Sequence, residues 1–184
     1  MKNKKLLKLT ITAIFAALSV ILSQISFTIP MTAIPFSMGI VSAFLSGALL
    51  PKYYALLSQV LYLSLGAIGL PVFSQFRGGL SVLAGPTGGY LVGYIFVAFF
   101  VAIAVEHYKK HLLLSLQISM LISLFVLYFI GTVWFIFVTG SHYVAALTTC
   151  VVPFIIPDII KIFLAAYFSI ALRKALEKSK LSVY

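Results

Sequence analysis

Acidic side chains are almost missing from this chain. Its 184 residues hold three Asp plus Glu against thirteen Lys plus Arg, and charged residues of both signs make up only 9%. A soluble domain carries about 25%. Cysteine occurs once, as Cys150, which excludes an internal disulfide. The three histidines, His107, His111 and His142, have no Cys or acidic partner at metal-site spacing, so no metal or other cofactor is expected. No Gly-Lys-Ser/Thr follows the glycines of Gly85-Pro86-Thr87-Gly88-Gly89-Tyr90, which excludes a phosphate-binding loop for ATP. No nucleophile–base set sits in the apolar segments, so an enzyme is not expected. The cations form no basic stripe with interleaved polar residues, so nucleic acid is not expected either.

What remains is apolar. Hydrophobic residues make up 62% of the chain, and the mean hydropathy is +1.17. A soluble fold of this length could not hide that much apolar surface, whereas a lipid bilayer covers it. The expected fold is all-α: one integral membrane domain, residues 1–184, of six transmembrane helices. The segments are 6–27, 38–50, 53–70, 88–105, 112–138 and 157–174, with Pro30, Pro35, Pro51, Pro71 and Pro157 among the breaks. The stretch 141–156 has room for a further short helix. The basic start followed by an apolar run resembles a signal peptide, but no small-x-small cleavage site closes the run, so a retained first helix is expected.

Charge sets the orientation. With the N-terminus inside, eleven cations fall on the inner side: Lys2, Lys4, Lys5, Lys8, Lys52, Lys109, Lys110, Arg173, Lys174, Lys178 and Lys180. Arg77 alone falls outside, and Lys161 lies within a helix. This asymmetry puts both termini in the cytoplasm. The outer connections, 28–37, 72–87 and 140–156, are the long ones, rich in Gly, Pro and aromatics. Irregular backbone at a membrane face is tolerated where it lines a cavity, so these three are expected to build one outward pocket.

Within that frame few residues can carry chemistry. Glu106 and Glu177 fall at inner helix ends beside lysines and are expected to be solvated. Asp158 follows Pro157 among isoleucines, in the first turn of the last helix, where the helix dipole favours an anion. Lys161 is three residues on, on the same face and about 4.5 Å deeper along the axis. A charge at bilayer depth costs roughly 2.5–3.5 kcal/mol, and such residues are paired, protein-facing or functional. An anchoring helix-end ion pair is the plainer reading; the position among three outer loops favours contact with a ligand. Arg77 is either a snorkelling surface arginine or an anion contact at the pocket mouth. Phe36, Phe73, Phe76 and Tyr90 lie near the outer face as candidate walls. The glycines around Thr87 are expected to let backbone approach a ligand. Ala13, Ala16 and Ala17 would let another helix come close, although spacing alone does not separate this from ordinary helical alanine.

Five stretches, in order, resemble the BioY family, the biotin-binding S components of energy-coupling-factor (ECF) transporters. They are Ile34-Pro35-Phe36-Ser37; Gly66-Ala67-Ile68-Gly69-Leu70-Pro71-Val72-Phe73; Gly78-Gly79; Gly85-Pro86-Thr87-Gly88-Gly89-Tyr90; and Pro153-Phe154-Ile155-Ile156-Pro157-Asp158-Ile159-Ile160-Lys161. The resemblance implies biotin as ligand, bound by Asp158 and Lys161. It implies that the loop before the fourth helix covers the site, bringing Phe73, Gly79 and Thr87 to it beside Phe36 and Tyr90. Some members carry a short polar residue before the paired glycines, where this chain has Arg77. An Ala-x-x-x-Ala pattern in the family docks the membrane coupling (T) subunit, and Ala13 and Ala17 fit it. Implied partners are that subunit and ATP-binding subunits, in a bacterial cytoplasmic membrane. Another vitamin, or a solitary biotin transporter, are the alternatives. Biotin suits the residues: its ureido ring offers two N–H donors and a carbonyl, which an aspartate and a lysine can meet. Arg77 or backbone N–H groups could receive the carboxylate.

Overall fold

The computed structural model describes residues 2–30, 32, 34–108 and 111–179. Lys109, Lys110 and Lys180 of the basic set lie outside the described residues. The fold is built of helices: α1 (Lys2–Gln24), α2 (Gly39–Leu49), α3 (Lys52–Ala67), α4 (Leu80–Ala84), α5 (Gly88–His107), α6 (Leu112–Thr139), α7 (Tyr143–Cys150) and α8 (Ile155–Lys178), with one short strand pair. Four segments are long and apolar enough to cross a membrane: Lys4–Gln24, Gly88–His107, Leu112–Thr139 and Tyr143–Lys178. Phe125, Phe129, Phe137 and Ile156 stand fully out from the bundle, as lipid-facing side chains do.

α5 is the centre. It packs on α6, α2 and α3, and Val97, Ala98, Val101, Ala102 and Val105 are wholly buried along it. α2 is only 11 residues long, and every one of them is buried, between α1, α5 and α8. A helix apolar on all sides belongs inside a protein. Gly47 makes the approach possible, because a Cβ there would meet the backbone carbonyl of Ala98 and the side chain of Val101.

Several boundaries differ from the sequence expectation. α1 stops at Gln24 because Ser26–Phe27 (β1) leave the helix to pair antiparallel with Phe36–Ser37 (β2). The rings of Phe27 and Phe36 stack with centroids 4.7 Å apart. α3 ends at Ala67, three residues early, where Gly69 turns with φ of 100°. The expected loop 72–87 contains α4, whereas 141–156 holds the short helix expected there, α7, capped by His142 Nδ1 accepting from Val144 N at 3.4 Å. α8 starts at Ile155, so Pro157 is its third residue rather than its first. Glu106 is not simply solvated. Its Oε1 accepts from Lys52 N at 3.0 Å and its Oε2 sits 3.4 Å from Lys52 Nζ, so the end of α5 caps the start of α3. Glu177 is exposed, 3.9 Å from Arg173.

The α1–α2–α3 interface holds a polar knot. Gln59 is fully buried, and its Nε2 points at the hydroxyls of Ser19 (3.3 Å), Ser46 (3.2 Å) and Ser58 (3.3 Å). Each hydroxyl gives its own hydrogen to a carbonyl of its own helix, at Phe15, Ala43 and Ala55. Gln59 Oε1 is the buried side-chain oxygen left without a partner among the described residues. Removing the amide therefore orphans no donor. Gln59→Met is expected to change the free energy of unfolding by no more than about 1 kcal/mol, read from denaturant titration in micelles. A loss of several kcal/mol would show that the knot holds the three helices together.

Candidate functional site

The last helix supplies the only buried ion pair among the described residues. Asp158 is in the first turn of α8, and Lys161 is one turn deeper; they are 5% and 4% exposed. Lys161 Nζ donates to Asp158 Oδ1 at 2.8 Å and to the backbone carbonyl of Ser37 at 2.8 Å, and it lies 3.7 Å from the centre of the Phe36 ring. The other carboxylate oxygen accepts from Tyr128 Oη at 2.7 Å. Both charges are thus met by partners from α6 and from β2. A desolvated pair needs this satisfaction, since buried charges without full hydrogen bonding are strongly destabilising.

A cavity of about 60 Å³ opens beside the pair, walled by Ile34, Pro35, Ser37, Ile40, Tyr90, Tyr94, Leu127, Tyr128, Cys150 and Phe154. A second, of about 40 Å³, shares Ile34, Pro35, Ser37, Tyr90 and Tyr94 and continues to Phe73, Ser74, Arg77, Val82, Thr87 and Leu91. Residues from all three expected outer loops meet here: Ile34, Pro35 and Ser37 from the first, Phe73 to Thr87 from the second, Cys150 and Phe154 from the third. The paired cavities are polar at two places, the Asp158–Lys161–Tyr128 cluster and the Ser74–Arg77–Thr87 side. The walls between are apolar and aromatic. A larger groove of about 490 Å³ lies elsewhere, between the facing ends of α5 and α6 at Tyr108 and Ser115, away from the ion pair.

The expected site residues separate on inspection. Asp158, Lys161, Tyr90, Phe73, Arg77 and Thr87 line the cavities. Tyr90 is held by its hydroxyl, 3.0 Å from Thr132 Oγ1. Arg77 is exposed, and its Nη2 donates to Gln75 Oε1 at 2.7 Å. Phe36 is not in either wall; its ring backs the ammonium of Lys161. Gly79 is not in a wall either. Its N–H donates to Gly66 O at 2.7 Å and its φ is 95°, so it is a turn glycine that starts α4. Gly88 and Gly89 are packed against their neighbours. A Cβ on either would run into Leu83 O or into Trp134, whose indole N–H donates to Gly85 O at 3.0 Å. Packing at the start of α5 therefore requires glycine at both positions. Phe76 is 72% exposed and outside the cavities. Ala13 and Ala17 lie on the outward face of α1, while Ala16 is buried in the bundle.

Three contributors were missed. Tyr128 is a hydroxyl in the middle of the long apolar α6, a position that signals a specific partner. Tyr94 stands four residues after Tyr90, hence on the same helix face. Ser37 acts through its carbonyl, which no side-chain pattern reveals. Tyr128→Phe deletes the donor to a buried carboxylate and is expected to weaken ligand binding about tenfold while leaving the fold intact, as measured by titration calorimetry.

Comparisons with known proteins agree with one another. A family model described as the BioY family matches residues 1–178. The biotin transporter BioY2 of Lactococcus lactis subsp. cremoris is 32% identical over 176 residues, covering 96% of this chain and 95% of that one. The biotin transporter BioY of Thermotoga maritima is 50% identical over 80 residues, a match spanning 44% of this chain and 46% of the relative. The probable biotin transporter BioY of Pyrococcus horikoshii is 31% identical over 154 residues, 84% of this chain and 88% of the relative. Among solved structures, the crystal structure of the S-component for biotin from an ECF-type ABC transporter superposes with a TM-score of 0.86 at 26% identity, covering 95% of this chain and 94% of that one.

Proposed function

This chain belongs to the BioY family, and on that footing we propose that it is the biotin-binding S component of an ECF-type transporter, capturing biotin at the outer face of a bacterial cytoplasmic membrane. It is a transporter component, not an enzyme. The observation that carries the ligand assignment is the buried, self-neutralising Asp158–Lys161 pair with Tyr128. A net-neutral pair gains little from an ion. It suits a neutral headgroup that offers donors and an acceptor together, as a ureido ring does. The ring's N–H groups would donate to Asp158, and its carbonyl would accept from Lys161. The fused rings and valeryl chain would cross the apolar walls of Tyr90, Tyr94 and Phe73. The carboxylate would reach Arg77 and the hydroxyls of Ser74 and Thr87, which lie toward the mouth.

Small-molecule sites measure roughly 300–1,000 Å³. The two cavities hold about 60 and 40 Å³ and share one partition. One vitamin reaches both polar ends only if that partition parts. Ile34 and Pro35, outside any helix or strand, are the piece to do so, since Tyr90 and Tyr94 are fixed on α5 and Ser37 is held in β2.

Six membrane helices with both termini cytoplasmic fit the same reading: α2 and α3 join the four long helices, α2 shielded by protein rather than lipid. The single domain 1–184 presents its three outer loops as the pocket. Energy would come from a membrane T subunit, docked over Ala13 and Ala17, and from ATP-binding subunits. Equilibrium binding of labelled biotin to the purified protein tests the assignment, with other vitamins as competitors. Displacement by a different vitamin at lower concentration than biotin would replace the ligand. Binding of none would defeat the reading.

A further inference from the structure

The turn between α3 and α4 is held in a conformation that its own residues disfavour. Phe73 N donates to Arg77 O at 2.9 Å, closing a five-residue loop. Inside it Gln75 (φ 62°, ψ 35°) and Phe76 (φ 56°) are both left-handed. A residue with a Cβ pays for that geometry, and two in succession persist only where the surroundings over-determine them. Burial of Phe76 is not the reason, because its side chain is 72% exposed.

The reason lies at the end of α1. Gln24 Nε2 donates to Pro71 O at 3.3 Å and to Phe73 O at 3.2 Å, and Gln24 Oε1 accepts from Phe76 N at 3.0 Å. One amide therefore serves carbonyls before the turn and an N–H within it. Glutamate lacks the donors, lysine lacks the acceptor, and leucine lacks both. β1 and the residue after it add to the grip: Ser26 Oγ accepts from Gln75 N at 3.1 Å, and Gln75 Nε2 donates to Thr28 Oγ1 at 2.6 Å. Gln75 Oε1 in turn holds the Arg77 guanidinium at 2.7 Å. The chain of bonds runs from α1 through the strained turn to the cation at the second cavity.

We propose that Gln24 is a positioning residue for the ligand: its side-chain amide clamps the strained 73–77 turn to the end of α1, and so fixes Phe73 and Arg77 at the cavity wall. Gln24 lines neither cavity itself and acts through the turn. This rests on the biotin reading above, but half of its test does not.

Two quantities decide it: amide hydrogen exchange at Phe76 in ligand-free protein, and the rate of biotin release. Gln24→Leu is expected to speed exchange at Phe76 about tenfold, the loss of its bond, and to speed biotin release by about the same factor. Adding Phe76→Gly should recover much of the release rate, since glycine adopts the left-handed geometry without a clamp. Unchanged exchange at Phe76 overturns the clamp. Faster exchange with unaltered release overturns the positioning role, as does a Phe76→Gly addition that recovers nothing. Were the unsubstituted protein to bind no biotin, the functional reading would fail, and exchange at Phe76 would still decide whether Gln24 holds the turn.

Discussion

Asp158→Asn should lower biotin affinity about a hundredfold, and Lys161→Ala at least as much. Hydrogen bonds to charged groups are worth roughly 1.5–3 kcal/mol each, and about 2.8 kcal/mol is a hundredfold in affinity. The two substitutions should differ in stability. Lys161→Ala leaves a carboxylate 5% exposed with only Tyr128 as partner. Stranding one member of a buried pair costs roughly 3–5 kcal/mol, and it also frees Ser37 O. Asp158→Asn keeps an acceptor for Tyr128 and leaves Lys161 with Ser37 O and the Phe36 ring. Labelled-biotin binding together with thermal unfolding in the same detergent separates the effects. Wild-type affinity in both variants would remove the pair from the site.

The second large effect is expected from Gly66→Val. Gly66 is on α3, and the ring of Phe73 lies directly over it; any side chain there displaces the ring. Phe73 is 1% exposed and meets Tyr62 edge-on at 5.6 Å. Tyr62 in turn bonds Ser23 of α1 at 2.8 Å. Expelling the ring forfeits the burial of a large aromatic, roughly 3–5 kcal/mol by analogy with Phe→Ala in cores. It also drags away the 73–77 turn. Gly66→Val should therefore lower thermal stability sharply and abolish biotin binding. Gly69→Ala, where a Cβ meets nothing within 4 Å but φ is 100°, should cost only backbone strain. Equal losses at the two glycines would refute the packing argument.

The ion pair was legible in the sequence because it needs only local geometry: three residues on one helix put an acid and a base on one face, and no other carboxylate competes. The long helices were legible from apolar runs, since lipid leaves length and hydropathy as the main constraints. What stayed hidden depends on contacts across the chain. Nothing local shows which glycines packing requires, so the contacts of Gly79, Gly88 and Gly89 with Gly66 O, Leu83 O and Trp134 are not readable from the sequence. Tyr128, α4 and the short hairpin that ends α1 at Gln24 were hidden for the same reason. Glu106 looked like one more solvated inner residue until α3 was placed against it.

The hydrogen bond from Lys161 to Ser37 joins residues 124 positions apart, and this has a bearing on biogenesis. α2 is enclosed partly by α5 and α8, which leave the ribosome long after it. While they are unmade, an 11-residue helix too short to span a bilayer unaided must wait, half accommodated, beside α1. Ser37 next to it has no ammonium to receive. The Asp158–Lys161 pair is thus the last part of the candidate site to exist, and a nascent chain stopped short of α8 would possess most of the bundle and the walls of the second cavity but not the ion pair.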